Sequence, residues 1–472
     1  MSFKKKLLKN ILTAGGYNYG TQGVYFLSTI VLSRLLLPAE FGFVTLITVF
    51  INFISIFSDA GITHAIIRSD YGTTYHKALM NLTLWIGVGL FLSMLLLAYP
   101  IALFYQNMEL IPATIVLSSL FIFRALAIVP TAVLTKNLKF NILGRFTLLI
   151  GLSNAIQTIV LAYLNFSYWA IILPQIINSI IHFFLLKSKT DFKFKIYSFA
   201  YVKSALNKSK SLIGNVTGFN LINYWAGSSD ALLVGKLYGE GDLGLYNRAY
   251  SLMTMALNLI GGIFNIVLYP SFKELKSNGG DILKEYAHVL NIISLITLPL
   301  GVILILFPEP LVLFLWGKNW EPVSLFLPYF GLLIMSKPLM SANTNIYILL
   351  GKERLNIKLG LVSAIIMVVS IIVGAFISLT FVSILHAAAY LSLVIPLNIY
   401  FGFYKGMGFS PSFILSFWIP KVFIMVLLII TIFLNQTLLS SILLAIFLTH
   451  ALYIQRKDIK NLIANFKLKY SV

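Results

Sequence analysis

Cysteine is absent from the 472 residues, and acids are scarce, with 15 Asp and Glu against 35 Lys and Arg. The first absence excludes disulfides and thiolate metal sites. The six histidines (His64, His76, His182, His288, His386, His450) are scattered without metal-ligand spacing. No GxxxxGK[ST] loop is present, so ATP is not bound by that route. No long loop or paired-carboxylate domain is visible either. An enzyme is therefore not expected, and no cofactor is called for.

Charge as a whole is also sparse. Only 11% of residues are charged and 59% are apolar, whereas soluble domains carry about a quarter charged residues. Residues 146–186 and 359–404 contain no Lys, Arg, Asp or Glu. A bilayer-crossing helix needs about 20 apolar residues, so each run holds two spans and a tight turn. The expected class is an all-α polytopic membrane protein. The N-terminal MSFKKKLLKN precedes an apolar segment, 11–33, that is too long for a signal-peptide core and reads as a first span.

Fourteen spans are expected: 11–33, 41–58, 80–103, 111–134, 146–164, 168–186, 212–235, 244–268, 287–307, 323–349, 359–379, 382–404, 411–434 and 437–455. With both termini in the cytoplasm, 28 of the 35 basic residues fall on the cytoplasmic side. Four (Arg34, Lys236, Arg248, Lys318) fall outside and three (Arg124, Lys337, Lys421) within spans. That asymmetry satisfies the positive-inside rule. The net charge of +20 thus lies between spans rather than on a soluble basic face, and nucleic acid is not an expected partner.

The first and seventh spans end alike. VLSRLLLPAEFG (31–42) and LVGKLYGEGDLG (233–244) align at an offset of 202, pairing Arg34 with Lys236, Glu40 with Asp242 and Gly42 with Gly244. Gly16 and Asn18 pair with Gly218 and Asn220 in the same register. Duplication of a six-span unit gives two parallel halves related by an axis along the membrane normal. The expected organisation is a six-helix lobe over 1–186, a basic cytoplasmic linker over 187–211, and a second six-helix lobe over 212–404. Two extra helices and a basic tail occupy 405–472. FAYVKSALNKSKS in the linker has the composition of an interfacial amphipathic helix.

Charge inside a span costs about 2.5–3.5 kcal/mol at the helix centre on the insertion scale. Arg124 lies near the middle of the fourth span and Lys337 near the middle of the tenth, positions that correspond under the repeat. A cleft holding both cations would accept an anion; the bland alternative is that each snorkels or binds helix carbonyls. Lys421, after Pro420, is expected to snorkel. Asp230 either pairs with Lys236 or Arg248 or binds a coupling cation. Tyr17, Tyr19 and Tyr25, in a glycine-rich first span, fit lipid contact or a sugar-accepting cleft.

Three stretches resemble polysaccharide exporters of the Wzx type, in the multidrug/oligosaccharidyl-lipid/polysaccharide exporter superfamily: LSRLLLPAEFGFVTL (32–46), VPTAVLTKNLKF (129–140) and SDALLVGKLYGEGDLGLYNRAYSL (229–252). The likeness runs through roughly the first 400 residues as a pattern, and is nearest to colanic-acid and teichuronic-acid exporters. It implies a flippase for undecaprenyl-diphosphate-linked oligosaccharide in the bacterial cytoplasmic (inner) membrane, serving O-antigen, capsule or exopolysaccharide synthesis. It also implies two lobes in a V and a cationic cavity, for which Arg124 and Lys337 are the candidates. Ion coupling or gating, to H+ or Na+, points to Asp230, Arg34, Lys236 and Arg248. The implied partners are the lipid-linked substrate, membrane lipids, a polysaccharide polymerase and glycosyltransferases. The first span departs from related lipid II flippases in having no Arg before Arg34.

Three readings compete. A multidrug antiporter of the same superfamily favours acids in its lobes, whereas the central charges here are basic. A membrane-integral glycan polymerase or transferase needs catalytic carboxylates or a long loop, and a pure scaffold leaves the buried charge unexplained.

Overall fold

The computed structural model describes residues 3–59, 61–68, 72–190 and 199–434. Among them every regular element is helical. The first part of the chain comprises α1 (Phe3–Leu35), α2 (Pro38–Asp59), α3 (Ile62–Arg68), α4 (Thr73–Tyr105), α5 (Leu110–Ser118), α6 (Leu120–Lys136), α7 (Phe140–Tyr163) and α8 (Trp169–Lys187). A long helix, α9 (Phe199–Ser277), follows. Beyond it come α10 (Ile282–Leu306), α11 (Pro308–Leu315), a 3-10 helix (Lys318–Leu325), α12 (Leu327–Ser341), α13 (Asn343–Leu349) and α14 (Glu353–Ile377). α15 (Leu379–Ala389) runs through π-helical turns and the short α16 (Ile395–Leu397) to Met407, and α17 (Pro411–Leu434) closes the described chain.

Contacts divide the chain into two compact units, Met1–Asn247 and Arg248–Val472. The division falls inside α9. In the first unit Ile62, Ile66, Leu79, Met80, Val129 and Ala132 pack α3, α4 and α6 together. In the second, Leu298, Val302 and Ile305 of α10 meet Leu332 and Met335 of α12 and Ile424, Met425 and Leu428 of α17.

Nine helices among the described residues are long and apolar enough to cross a membrane, and a tenth is a pair bent by 58°, Lys318–Leu325 with Leu327–Leu349. These ten coincide with the expected second to sixth and ninth to thirteenth spans. The expected first, seventh and eighth spans are helical, as α1 and the two limbs of α9. The first and seventh are the less apolar of these, because Gly, Asn, Ser, Thr and Tyr interrupt their apolar residues. The expected fourteenth span and the basic tail lie outside the described residues, as does the middle of the 187–211 linker. From Phe199 that linker is helical and forms the start of α9.

Local chemistry sets the boundaries. Asp281 caps α10 by accepting from the Leu283 and Lys284 N–H groups at 3.0 and 3.1 Å. Ser378 does the same for α15 through the Phe381 N–H. α9 breaks only at Gly239, whose φ of 82° and ψ of −175° suit glycine alone.

The break brings the next turn of α9 against the start of α2. A Cβ on Gly42 would lie 1.7 Å from the Glu240 carbonyl oxygen, and one on Gly244 would lie 1.9 Å from that of Pro38. Pro38 and Glu240 are separated by the same 202 positions as Gly42 and Gly244. One turn on, Asn247 Nδ2 donates to Thr45 Oγ1 at 3.0 Å, again across 202 residues. Positions matched by the sequence offset therefore touch each other reciprocally, as residues do about a two-fold axis.

No side chain fits at that crossing. Gly42→Ala is expected to lower the apparent thermal unfolding midpoint in detergent, with overpacking costing about 1–3 kcal/mol. Gly89→Ala, at a helical site with nothing within 4 Å, should leave the midpoint unchanged or raise it. Equal midpoints for the two variants would contradict the crossing.

Candidate functional site

In the first unit, α1, α2, α6, α7 and α8 line an open cavity of about 470 Å³. Tyr25, Ser28 and Thr29 line it from α1, Arg124 from α6, Asn154 and Thr158 from α7, and Gln175, Asn178, Ser179 and His182 from α8. The polar positions on α7 and α8 recur at helical spacing within the charge-free run 146–186, so both helices turn a polar stripe inward.

The amides are mutually organised. Asn178, 3% exposed, donates from Nδ2 to the Pro174 carbonyl at 2.7 Å. The same nitrogen lies 3.5 Å from Asn154 Oδ1 and 3.5 Å from Gln157 Oε1. Gln157 in turn donates to Ser153 Oγ at 2.7 Å. The Asn178 Oδ1 atom is buried without a partner. Arg124 is exposed at the cavity, and no described residue accepts from its guanidinium. Five fixed N–H donors without a protein acceptor suit a carboxylate or phosphate.

α1 forms the opposite wall. Its hydroxyls turn back onto their own helix: Thr21 to the Tyr17 carbonyl, Ser28 to that of Tyr25, and Ser33 to that of Thr29, at 2.7–2.9 Å. Such bonds let a polar helix sit among apolar neighbours. Of the tyrosines singled out in the sequence, Tyr25 lines the cavity. Tyr17 packs on α7 and accepts from Arg145 Nε at 3.1 Å.

In the second unit Lys337 Nζ lies 2.9 Å from His386 Nε2 and 5.4 Å from the Tyr390 ring centre. Arg248, 6% exposed, lies 4.6 Å from the Trp320 ring and 5.7 Å from the Trp316 ring, a cation–π cage. Lys421 is a correction. It does not snorkel: it is buried, donates to the Phe417 carbonyl one turn back at 2.9 Å, and sits 3.4 Å from the centre of that residue's ring. Binding within its own helix spares it the stretch to the interface.

The remaining candidates lie near the ends of helices in the first unit. Asp230 is buried; its Oδ2 accepts from the Tyr246 hydroxyl at 3.1 Å and its Oδ1 from the Ala231 N–H at 2.8 Å. Lys236 donates to the Phe104 carbonyl and covers that ring at 5.0 Å. Arg34 is exposed in the last turn of α1, where a cation suits the helix dipole. Asn107 donates to Glu240 Oε2 at 3.1 Å. Burial pushes the Glu240 carboxyl above its ordinary value; the Asn107 donation opposes this and the nearby Glu109 charge adds to it.

The polar wall of α7 and α8 and the Lys337–His386 contact were not anticipated. Uncharged amides do not interrupt a hydropathy run, although the 3- and 4-residue spacing of Asn154, Gln157, Gln175, Asn178 and His182 was available as a signal. Nothing in the sequence joins residues 337 and 386.

A carboxyl raised by folding favours the protonated form, so its contribution to stability is present in acid and lost as pH rises through the folded value. Glu240→Gln keeps an acceptor for Asn107 and removes the charge. Thermal unfolding followed from pH 4 to 7 should show the variant gaining on the parent chain as pH rises. A gain that is greatest at pH 4 would contradict the assignment.

The chain matches the family described as "Polysaccharide biosynthesis protein" over residues 31–325. It is 24% identical over 310 residues to the teichuronic acid biosynthesis protein TuaB of Bacillus subtilis, covering 64% of this chain and 63% of that one. It is 24% identical over 344 residues to the lipopolysaccharide biosynthesis protein WzxC of Escherichia coli, covering 71% and 68%. The chain thus spans a little under two thirds of TuaB. Among solved structures, the lipid II flippase MurJ in an inward closed conformation superposes with a TM-score of 0.68 at 16% identity, covering 96% of this chain and all of that one. An inward-facing multidrug resistance MATE family transporter follows at 0.61 and 14% identity, covering 82% and 96%. Those likenesses establish the fold. By its match over more than half its length, the chain belongs to the polysaccharide biosynthesis protein family.

Proposed function

We propose that this protein is a flippase that carries a diphosphate-linked oligosaccharide across a bacterial cytoplasmic membrane during surface polysaccharide synthesis. The observation that carries the reading is the first unit's cavity, with free guanidinium donors and a wall of carboxamides inside a membrane helix bundle. Carboxamides donate and accept, so they replace the water that sugar hydroxyls lose on entering. Arg124 offers the diphosphate a bidentate contact. The lipid tail never leaves hydrocarbon, which removes the largest cost of the passage.

In this account fourteen spans form two parallel six-helix lobes, 1–186 and 212–404, joined by the basic 187–211 segment. The last two helices are additional, and both termini are cytoplasmic. Lys337, on the span that corresponds to that of Arg124, supplies the second cation of a shared cleft. The lobes alternate access by rocking, and the reciprocal contact of Gly42 with Gly244 supports a pseudo-symmetric design. An ion gradient resets the carrier, with Asp230, Arg34, Lys236 and Arg248 as coupling or gating groups. A polymerase and glycosyltransferases act before and after it. Drug antiport is less well supported, because an unpaired cation in the cavity repels cationic drugs.

Arg124→Ala combined with Lys337→Ala tests the cationic cleft at normal expression in the source bacterium. A charged hydrogen bond contributes about 1.5–3 kcal/mol, so losing both should reduce surface polymer at least roughly a hundredfold. Lipid-linked repeat units should accumulate inside. Unchanged export would exclude the cationic cleft.

A further inference from the structure

A second cavity of the first unit, a groove of about 260 Å³, lies between α4, α6 and α8. Met80 and Leu84 line it from α4, Leu126 and Pro130 from α6, and Phe183 from α8. The pairs 80 and 84, and 126 and 130, are each four residues apart, so each of these helices turns one apolar face to the groove. Met80, Leu126 and Phe183 also pack in the cluster that joins α3, α4 and α6, which fixes the floor. Trp85 and Phe184, next in the chain to Leu84 and Phe183, are exposed, so both walls border lipid hydrocarbon. An apolar cleft reached by hydrocarbon is filled by it, because bare walls forfeit their dispersion contacts.

One end of the groove is polar, and Lys187 and Thr190 make it so. Lys187, the last residue of α8, is exposed, and no described residue accepts from its ammonium. Thr190 is half-buried and spends its hydroxyl proton on the Leu186 carbonyl at 3.0 Å. Its oxygen is therefore left as an acceptor. None of the described lining residues is acidic. Leu134 and Leu186 pack in one cluster near the ends of α6 and α8, so the basic ends of both helices, Lys136 and Lys187, share one side of the membrane.

We propose that this groove holds an anionic phospholipid of the leaflet adjoining the basic ends of α6 and α8. One acyl chain lies between α4 and α8 over Leu126 and Pro130. Lys187 donates to the phosphodiester, and Thr190 accepts from a headgroup hydroxyl. Charge selects the occupant: a zwitterionic lipid brings an ammonium beside Lys187, whereas an anionic one brings net negative charge. Basic pockets between membrane helices bind anionic headgroups for this reason. The chain bridges α4 and α8, so its binding stabilises the folded unit by mass action. The groove shares no lining residue with the Arg124 cavity, and the site does not depend on what the protein carries.

The test titrates the full chain in detergent with phosphatidylglycerol or phosphatidylethanolamine of identical chains and counts bound lipid by native mass spectrometry. Phosphatidylglycerol should bind about fivefold more tightly, the effect of one basic residue at an anionic surface. Lys187→Gln should abolish that preference, whereas Lys189→Gln, outside the groove, should keep it. Leu84→Trp fills the groove and should also abolish it. Equal binding of the two lipids in the unaltered chain overturns the proposal. So does an equal loss in Lys187→Gln and Lys189→Gln, which would mean diffuse surface charge, or a preference that survives Leu84→Trp, which would mean headgroup contact without a groove. Undecaprenyl phosphate displacing phosphatidylglycerol with the same dependence on Lys187 would give the groove to the cargo lipid and overturn it too. Lys187 and Lys189 are both exposed, so the comparison of their variants decides the matter even if Leu84→Trp fails to fold.

Discussion

Hydrocarbon offers no hydrogen-bond partner, so every backbone group and every charge placed in it must be met by the protein itself. That constraint makes helices the regular structure of this chain and dictates how its polar side chains behave. The hydroxyls of α1 return to carbonyls of their own helix, Lys421 binds Phe417 one turn back, and Arg248 lies against two indole rings. The α1 hydroxyls and Lys421 satisfy their polarity within their own helices, and the indole faces stabilise the Arg248 charge by cation–π contact. Where the constraint is relaxed, a polar occupant is implied. Arg124, from which no described residue accepts, and Asn178, whose Oδ1 has no partner among the described residues, both line the same cavity.

The architecture gains its economy from repetition. The offset of 202 between two loop-adjacent segments reappears as physical contact, Gly42 with Gly244 and Thr45 with Asn247. Such a crossing tolerates only glycine because two backbones meet with nothing between them. It also ties the start of α2 to the turn of α9 that follows the kink at Gly239.

Much of this was legible in the residues. Ten spans followed from apolar runs that carry at most one charge each, because length and hydropathy decide whether a helix crosses a bilayer. Arg124 was visible because a central arginine has no other explanation as good as a wet cavity. α1 and the first limb of α9 read as spans like the others, since the polarity of 11–33 and 212–229 is carried by uncharged residues. The same blindness hid Asn154, Gln157, Gln175 and Asn178, whose importance depends on two helices turning the same stripe toward one space. Lys337 was singled out, yet its partner His386 was set aside among scattered histidines. Their meeting is a property of α12 packing on α15, which no local pattern encodes.

The central claim is movement of a diphosphate-linked oligosaccharide from one leaflet to the other. It is tested most directly by reconstituting the full chain in sealed vesicles with a fluorescent lipid-diphosphate oligosaccharide in the outer leaflet, then adding an impermeant glycosidase. The account predicts that a growing fraction becomes protected from the enzyme only when the protein is present, and that Arg124→Ala slows this protection. Equal accessibility with and without the protein, in vesicles that retain an entrapped dye, would contradict it.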